Sequence, residues 1–213
     1  MDPIDDVVCV VDDDDRVREA LASLLRSHGR GVSTFRSGKE FLESMSWDRV
    51  GCLILDMRMP GMSGLEVQEQ VINNSHVSVI FITGRNDVPA TVRAMKSGAV
   101  DFLTKPVSED ALLRAVDTAI ERTRAQRRSA AEATALRRLY ETLTPREQEL
   151  LPLLAQGMLN KQAADVLGIT EYTVQVHRGH IMKKMNSGSF ATLVRQAGRL
   201  ELDIHLPTRD FRE

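Results

Sequence analysis

Nine aromatic side chains in 213 residues, one Trp, two Tyr and six Phe, leave the interior to be filled mainly by aliphatic residues. Two cysteines are too few for a disulfide framework or a cysteine-rich zinc fold, and Cys9 and Cys52 lie inside the apolar runs VVCVV and CLIL, where both are expected as core thiols. No stretch approaches the roughly 18 consecutive apolar residues of a membrane span, and the opening MDPIDD is acidic where a signal peptide is basic. A cytoplasmic protein without membrane insertion is the expectation. Nor does one sign of charge dominate, because 28 Lys and Arg face 30 Asp and Glu. A hydrophobic fraction of 42% without repeats or low-complexity tracts excludes disordered and collagen-like chains, and suits one large or two small domains.

The near-neutral total conceals a division. Residues 1–123 carry 14 basic and 20 acidic side chains, or −6, whereas residues 124–213 carry 14 and 10, or +4. Such asymmetry points to polyanion contact through the second half alone. In the first half, apolar runs at Val7–Val11, Cys52–Leu55 and Val77–Ile82, with weaker ones at Val32–Phe35 and Ala99–Leu103, are continuous rather than alternating. That is the pattern of strands covered on both faces. Helical spacing of Val17, Ala20, Leu21, Leu24 and Leu25, and the capping boxes Ser37-x-x-Glu40 and Ser63-x-x-Glu66, fill the gaps with helices. The expected fold is a doubly wound, five-stranded parallel α/β sheet.

From Val107 to Thr144 there is neither Gly nor Pro, and Ser108 offers an N-cap, which predicts one long helix over Ser108–Arg138, with two helices broken near Ser129 as the alternative. Its first part carries packing residues (Leu112, Leu113, Val116, Ile120), but Arg124-Ala-Gln-Arg-Arg128 carries none. The boundaries expected are therefore 1–123 for the first domain, 124–140 for a solvated helical linker and 141–213 for a second, all-α domain. Thr144-Pro145-Arg146-Glu147 opens a helix there, and Gly157 stops it. Asn160–Leu167, a turn at Gly168-Ile169-Thr170 and a helix over Glu171–Met185 give a helix-turn-helix outline, followed by a last helix over Ala191–Leu200.

In open parallel sheets, ligands bind beyond the carboxyl ends of the strands. The runs end in Asp12-Asp13-Asp14-Asp15, in Asp56, in Thr83-Gly84 and in Lys105-Pro106. Clustered carboxylates call for a cation, and hard oxygen ligands suit Mg²⁺ or Mn²⁺. Asp12 and Asp13 are the expected metal ligands. Asp56, alone at the end of a buried strand, is placed to attack phosphorus; Lys105 would neutralise phosphoryl oxygens, and Thr83 would donate to them.

With VVDDDD, LILDMRMPGMSGLE, VIFITG and AVDFLTKP in order, residues 4–123 resemble a two-component receiver domain. Residues 140–200, through LTPREQELLPLLAQGMLNKQAADVLGITEYTVQVHRGHIMKKM, resemble a LuxR-type DNA-binding domain, and the pairing resembles the FixJ/NarL response regulators over nearly the whole chain. The resemblance implies a receiver sheet in flavodoxin-like strand order, Asp56 as phospho-acceptor, the Arg58 carbonyl beside Asp12, Asp13 and Asp56 around Mg²⁺, Thr83 and Phe102 as a coupled switch, and a cis peptide after Lys105. Two departures stand out. Thr83 is followed by Gly84-Arg85-Asn86 where FixJ-like chains commonly have Gly-His-Gly, and Arg58 and Arg85 lie where receivers adjust access of hydrolytic water.

In the second domain, Val174, Ile181 and Met185 fall on the inward side of the recognition helix. Thr173, Gln175, Val176, Arg178, Gly179 and Lys183, with Lys161 from the preceding helix, are the expected DNA contacts: Gln can pair with adenine, Val can pack on a thymine methyl, and the basic groups supply salt-dependent affinity. In the resemblance, the positions of Gln175 and Gly179 often carry longer basic residues. His177 and His180, three apart, could face one metal, but without a Cys or a third His nearby a packed or DNA-facing role is expected.

The partners that follow are a sensor histidine kinase, a second copy of the chain after phosphorylation, double-stranded DNA with an imperfect palindrome, and RNA polymerase. The chain is not expected to be a dedicated enzyme, since an aspartyl phosphatase would carry a second aspartate where Arg58 stands. A DNA-binding factor with a merely structural receiver domain, independent of phosphorylation, is the alternative.

Overall fold

The computed structural model describes residues 6–44, 46–84, 88–200 and 202, so Arg85 and the opening residues 1–5 lie outside the described residues. Every apolar run becomes a strand: β1 Val7–Val11, β2 Val32–Phe35, β3 Val50–Asp56, β4 Ser78–Thr83 and β5 Asp101–Thr104. All pairings are parallel, in the order β2-β1-β3-β4-β5. Alternate strand residues feed two cores. Cys9, Val11, Leu53, Leu55, Val79 and Phe81 pack with Phe41, Val67, Val71, Ala90 and Ala94 of α2 (Gly38–Ser44), α3 (Gly64–Asn74) and α4 (Val88–Lys96). On the other face Val8, Val10, Cys52, Ile54, Ile80 and Ile82 pack with Leu21 and Leu25 of α1 (Asp15–Ser27) and with Leu112, Val116 and Ile120 of α5 (Glu109–Glu141). Both cysteines are buried and unpaired, and burial pushes the Cys9 thiol up to about 12 and the Cys52 thiol in the same direction.

The inward face of α1 is rotated from the expected one. Arg18, Leu21, Ala22 and Leu25 are buried, while Ala20 is exposed. A buried arginine in the first turn displaces the apolar stripe, for a reason given below.

The long helix is continuous over Glu109–Glu141, and Ser108 Oγ accepts from the amide of Ala111 at 3.3 Å. The chain separates into two compact units within it, at Arg128–Ser129 rather than at Thr123. Thr123 is itself buried, and its hydroxyl accepts from the amide of Ser78 at 3.0 Å. Arg124 pairs with Asp6, and Arg127 donates to the carbonyls of Trp47 and Val50 at 2.6 and 2.7 Å. The stretch expected to be solvated is thus tied to the first unit for one more turn, through polar contacts that leave no mark in an apolar pattern. Residues 131–135 are exposed throughout, as are Arg128 and Ser129. Limited trypsin should therefore cut first at Arg128 and release two folded pieces; mass spectrometry showing earlier cuts inside either unit would displace this boundary.

In the second unit, Leu136 and Leu143 pack with α6 (Pro145–Ala155), α7 (Asn160–Leu167), α8 (Glu171–Lys184) and α9 (Phe190–Arg199). Thr144 and Glu147 form the capping box of α6, with Pro145 at its first position. Gly168, at φ +65°, ends α7 in the left-handed region that glycine enters without strain, and Thr170 caps α8. Among the described residues, no helix is long and apolar enough to cross a membrane.

Candidate functional site

The strand order reverses between β1 and β3, so the crevice beyond their carboxyl ends is where a ligand is cradled in such a sheet. Asp12 follows β1 and Asp56 ends β3; both are buried, at 2% and 6% exposure. Lys105, carried just past β5, places Nζ 2.7 Å from Asp12 Oδ2 and 2.7 Å from Asp56 Oδ1. The remaining oxygens are also held: Asp12 Oδ1 accepts from the amide of Asp14 at 2.9 Å, and Asp56 Oδ2 accepts from the amide of Arg58 at 2.7 Å. Thr83 ends β4 with 3% exposure, and its carbonyl accepts from the amide of Lys105 at 2.8 Å. The peptide between Lys105 and Pro106 is cis. Phe102 is half-buried on β5, beside Phe81 in the register. Asp13 and the Arg58 side chain are exposed at the rim. Asp12, Asp13, Asp56, Thr83 and Lys105 therefore converge from four strands.

Burial pushes the Asp12 carboxyl above its ordinary value, and the negative charge of Asp56 adds to that rise; the Lys105 ammonium and the Asp14 amide pull the other way. Burial opposes the charge on Lys105 too, but its two carboxylate partners hold it above the usual lysine range. One ammonium shared between two carboxylates leaves the pocket with net negative charge, before Asp13 is counted. A crowded set of carboxylate oxygens short of positive charge fits a hard divalent cation, with Asp12, Asp13 and Asp56 as the side chains able to hold it.

Two residues that shape this pocket escaped the reading of motifs. Arg18 is 6% exposed; its guanidinium donates to the carbonyl of Asp12 at 2.8 Å and pairs with Asp15, fixing the backbone of the acidic turn. Its signal in the sequence was its place at the head of the series 18, 21, 22, 25. Gly64, first residue of α3, lets that helix pass against the backbone of β3: a Cβ there would overlap the carbonyl oxygen of Asp56 and lie 2.9 Å from Phe81 Cε1. Nothing in composition or spacing separated it from other glycines.

In the helix-turn-helix unit, Val174, Ile181 and Met185 are fully buried, as the spacing required. Gln175, Val176, Gly179 and Lys183 are exposed and share one face of α8 with Tyr172, which is 76% exposed and continues that stripe toward the N-terminus. Lys161 is exposed in the first turn of α7. Arg178 and Thr173 also make contacts within the domain. The guanidinium of Arg178 stacks 4.1 Å from the centre of the Phe190 ring, a cation–π contact that holds α8 to α9, and the Thr173 hydroxyl lies 2.8 Å from that of Thr170 within the cap. The outward stripe is left to Tyr172, Gln175, Val176, Gly179 and Lys183.

A receiver-type sheet with an acidic crevice, followed by a separate helix-turn-helix unit, defines a two-domain response regulator. The response regulator receiver domain family matches residues 8–117 and the luxR family of bacterial regulatory proteins matches residues 141–197, so the chain belongs to the receiver family and carries a LuxR-type DNA-binding domain. Nodulation protein W of Bradyrhizobium diazoefficiens is 48% identical over 195 residues, covering 91% of this chain and 86% of that one. The structure of response regulator StyR matches at a TM-score of 0.79 with 47% identity, covering 92% and 99% of the two chains. Full-length FixJ from B. japonicum matches at 0.55 with 36% identity, covering 92% and 97%. A receiver domain implies a sensor kinase as partner and generally binds Mg²⁺ at its phosphorylation site; a LuxR-type domain implies DNA binding. Neither match is to a known enzyme family.

Proposed function

We propose that phosphorylation switches this chain into a dimeric transcription regulator, with Asp56 as the acceptor. An Asp56 carboxylate oxygen attacks the phosphorus of a phosphohistidine on the sensor kinase, the phosphorus–nitrogen bond breaks, and the imidazole nitrogen keeps the electron pair. The observation that carries the reading is the Lys105 ammonium 2.7 Å from Asp56 Oδ1, beside the carboxylate that would bond phosphorus. Mg²⁺ or Mn²⁺ held by Asp12, Asp13, Asp56 and the Arg58 carbonyl would neutralise the incoming oxygens. Thr83 then donates its hydroxyl to a phosphoryl oxygen, and Phe102 moves with it. The chain accepts and slowly loses the group; it is not a dedicated enzyme.

On α4, Val88, Val92 and Met95 are 67%, 45% and 44% exposed, an apolar surface suited to a second copy. Dimerisation places two recognition helices on the half-sites of an imperfect palindrome, from which RNA polymerase is within reach. The test is a titration of full-length protein, with and without a small-molecule phosphodonor, on one-half-site and two-half-site duplexes at fixed salt. Tethering makes the second contact intramolecular, so binding should tighten chiefly on the two-half-site DNA, by tenfold or more as an order of magnitude. An equal gain on both duplexes would point to unmasking instead of dimerisation. No gain on either would favour a DNA-binding factor independent of phosphorylation.

A further inference from the structure

From the sequence, a packed or DNA-facing role was expected for His177 and His180, because no third ligand stood nearby. The fold supplies one. Glu147, in the first turn of α6, is turned toward α8, and one donor atom from each of Glu147, His177 and His180 lies within 4.8 Å of the other two. The Glu147 side chain is 2% exposed. Its Oε2 accepts from the amide of Thr144 at 2.8 Å and from Lys184 Nζ at 2.6 Å, while its Oε1 lies 3.7 Å from His180 Nδ1. Nδ1 of His177 is buried and has no hydrogen-bond partner among the described residues, an unmet requirement that buried ring nitrogens rarely carry. The three groups line a cavity of about 630 Å³ together with Thr144, Lys183 and Lys184.

We propose that Glu147, His177 and His180 form a binding site for a borderline transition cation, Zn²⁺ in the first place, that ties α6 to the recognition helix. Two imidazole nitrogens and one carboxylate oxygen are a ligand set for zinc, and a poor one for Mg²⁺ or Ca²⁺, which take oxygen donors. Tetrahedral zinc, with bonds of about 2.0–2.1 Å, holds its ligands roughly 3.4 Å apart. The donors must draw together from their present spacing, and His180, whose side chain is 59% exposed, is free to rotate toward the other two. Lys184 occupies Oε2 of Glu147 and leaves Oε1 for the ion. The ammonium charges of Lys183 and Lys184 oppose a second cation, so the affinity should be moderate, and the fourth position is open to water. The site avoids Gln175, Val176 and Gly179 of the outward stripe, so an ion there would brace the reading helix without covering those residues. It does not depend on phosphorylation of the receiver.

The test uses the full chain in excess Mg²⁺, which keeps the acidic crevice of the receiver occupied. Zn²⁺ is titrated against a chromophoric chelator, and Cu²⁺ is bound as a spectroscopic probe for electron paramagnetic resonance. The wild type should hold one Zn²⁺ per chain, and its Cu²⁺ spectrum should show coupling to two nitrogens. His180→Asn, at an exposed position that leaves the core untouched, should weaken Zn²⁺ binding at least tenfold and reduce the coupling to one nitrogen. His177→Gln should do the same from the other ligand. Undiminished affinity in His180→Asn, oxygen-only coordination of Cu²⁺, or no Zn²⁺ bound to the wild type would each overturn the proposal.

Discussion

Asp56→Asn should reduce labelling of the chain by a small-molecule phosphodonor in Mg²⁺ to background, while the protein stays folded. The substitution keeps the volume of the side chain, and its amide oxygen can still accept from Lys105. What it loses is the anionic oxygen: the nitrogen lone pair is delocalised into the carbonyl, and the neutral amide does not attack phosphorus as a carboxylate does. Burial is the main cause that raises Asp12, and removing the neighbouring Asp56 charge takes away the repulsion that adds to it, so the melting temperature should hold or rise. Asp13→Ala should behave differently, leaving the acceptor in place and raising the Mg²⁺ concentration needed for half-maximal labelling. Labelling of Asp56→Asn at the wild-type level would place the phosphoryl group on another residue.

Gly64→Ala should be the more damaging change to the fold. A Cβ at this position would overlap the carbonyl oxygen of Asp56, and lie 2.9 Å from Phe81 Cε1 and 3.2 Å from Met57 Cα. Two of these three neighbours are backbone, which cannot rotate away, and the third is a fully buried ring. The first turn of α3 must therefore lift off β3, breaking the bond from the Gly64 amide to the Met57 carbonyl at 3.1 Å. Overpacking of this kind costs about 1–3 kcal/mol. Because the displaced backbone is that of Asp56 itself, the labelling rate should fall together with stability, whereas Gly179→Ala, with open space around its Cβ, should stabilise α8 by up to about 1 kcal/mol. Chemical denaturation and a labelling time course on each variant measure both effects. An unchanged midpoint for Gly64→Ala would mean that α3 sits more loosely than described.

The strands were legible because each is covered on both faces and so reads as an unbroken apolar run, and the pocket was legible because its groups stand at the ends of those runs. Lys105 needed only its position after the fifth run to be placed beside Asp12 and Asp56. Residues that act through backbone geometry or through long polar side chains were not legible. Arg18 fixes a carbonyl, Gly64 permits an approach, and Arg127 reaches two carbonyls from residues far away in sequence. Glu147 was seen as the third residue of a capping box, which it is, but a linear pattern holds no record that its second oxygen is turned toward two histidines of another helix.

Trp47 is the sole tryptophan of the chain, half-buried with its ring centre 5.5 Å from that of Phe41, and its carbonyl takes the guanidinium of Arg127. Indole emission from the native protein consequently has a single origin, and that origin lies at one of the points where the long helix is tied to the first unit. Excitation at the red edge of the ultraviolet band, where tyrosine is silent, makes the fluorophore a built-in gauge of that fastening. A shift of its emission maximum to longer wavelength, or easier quenching by acrylamide, would register release of Arg127 in real time, with no dye attached.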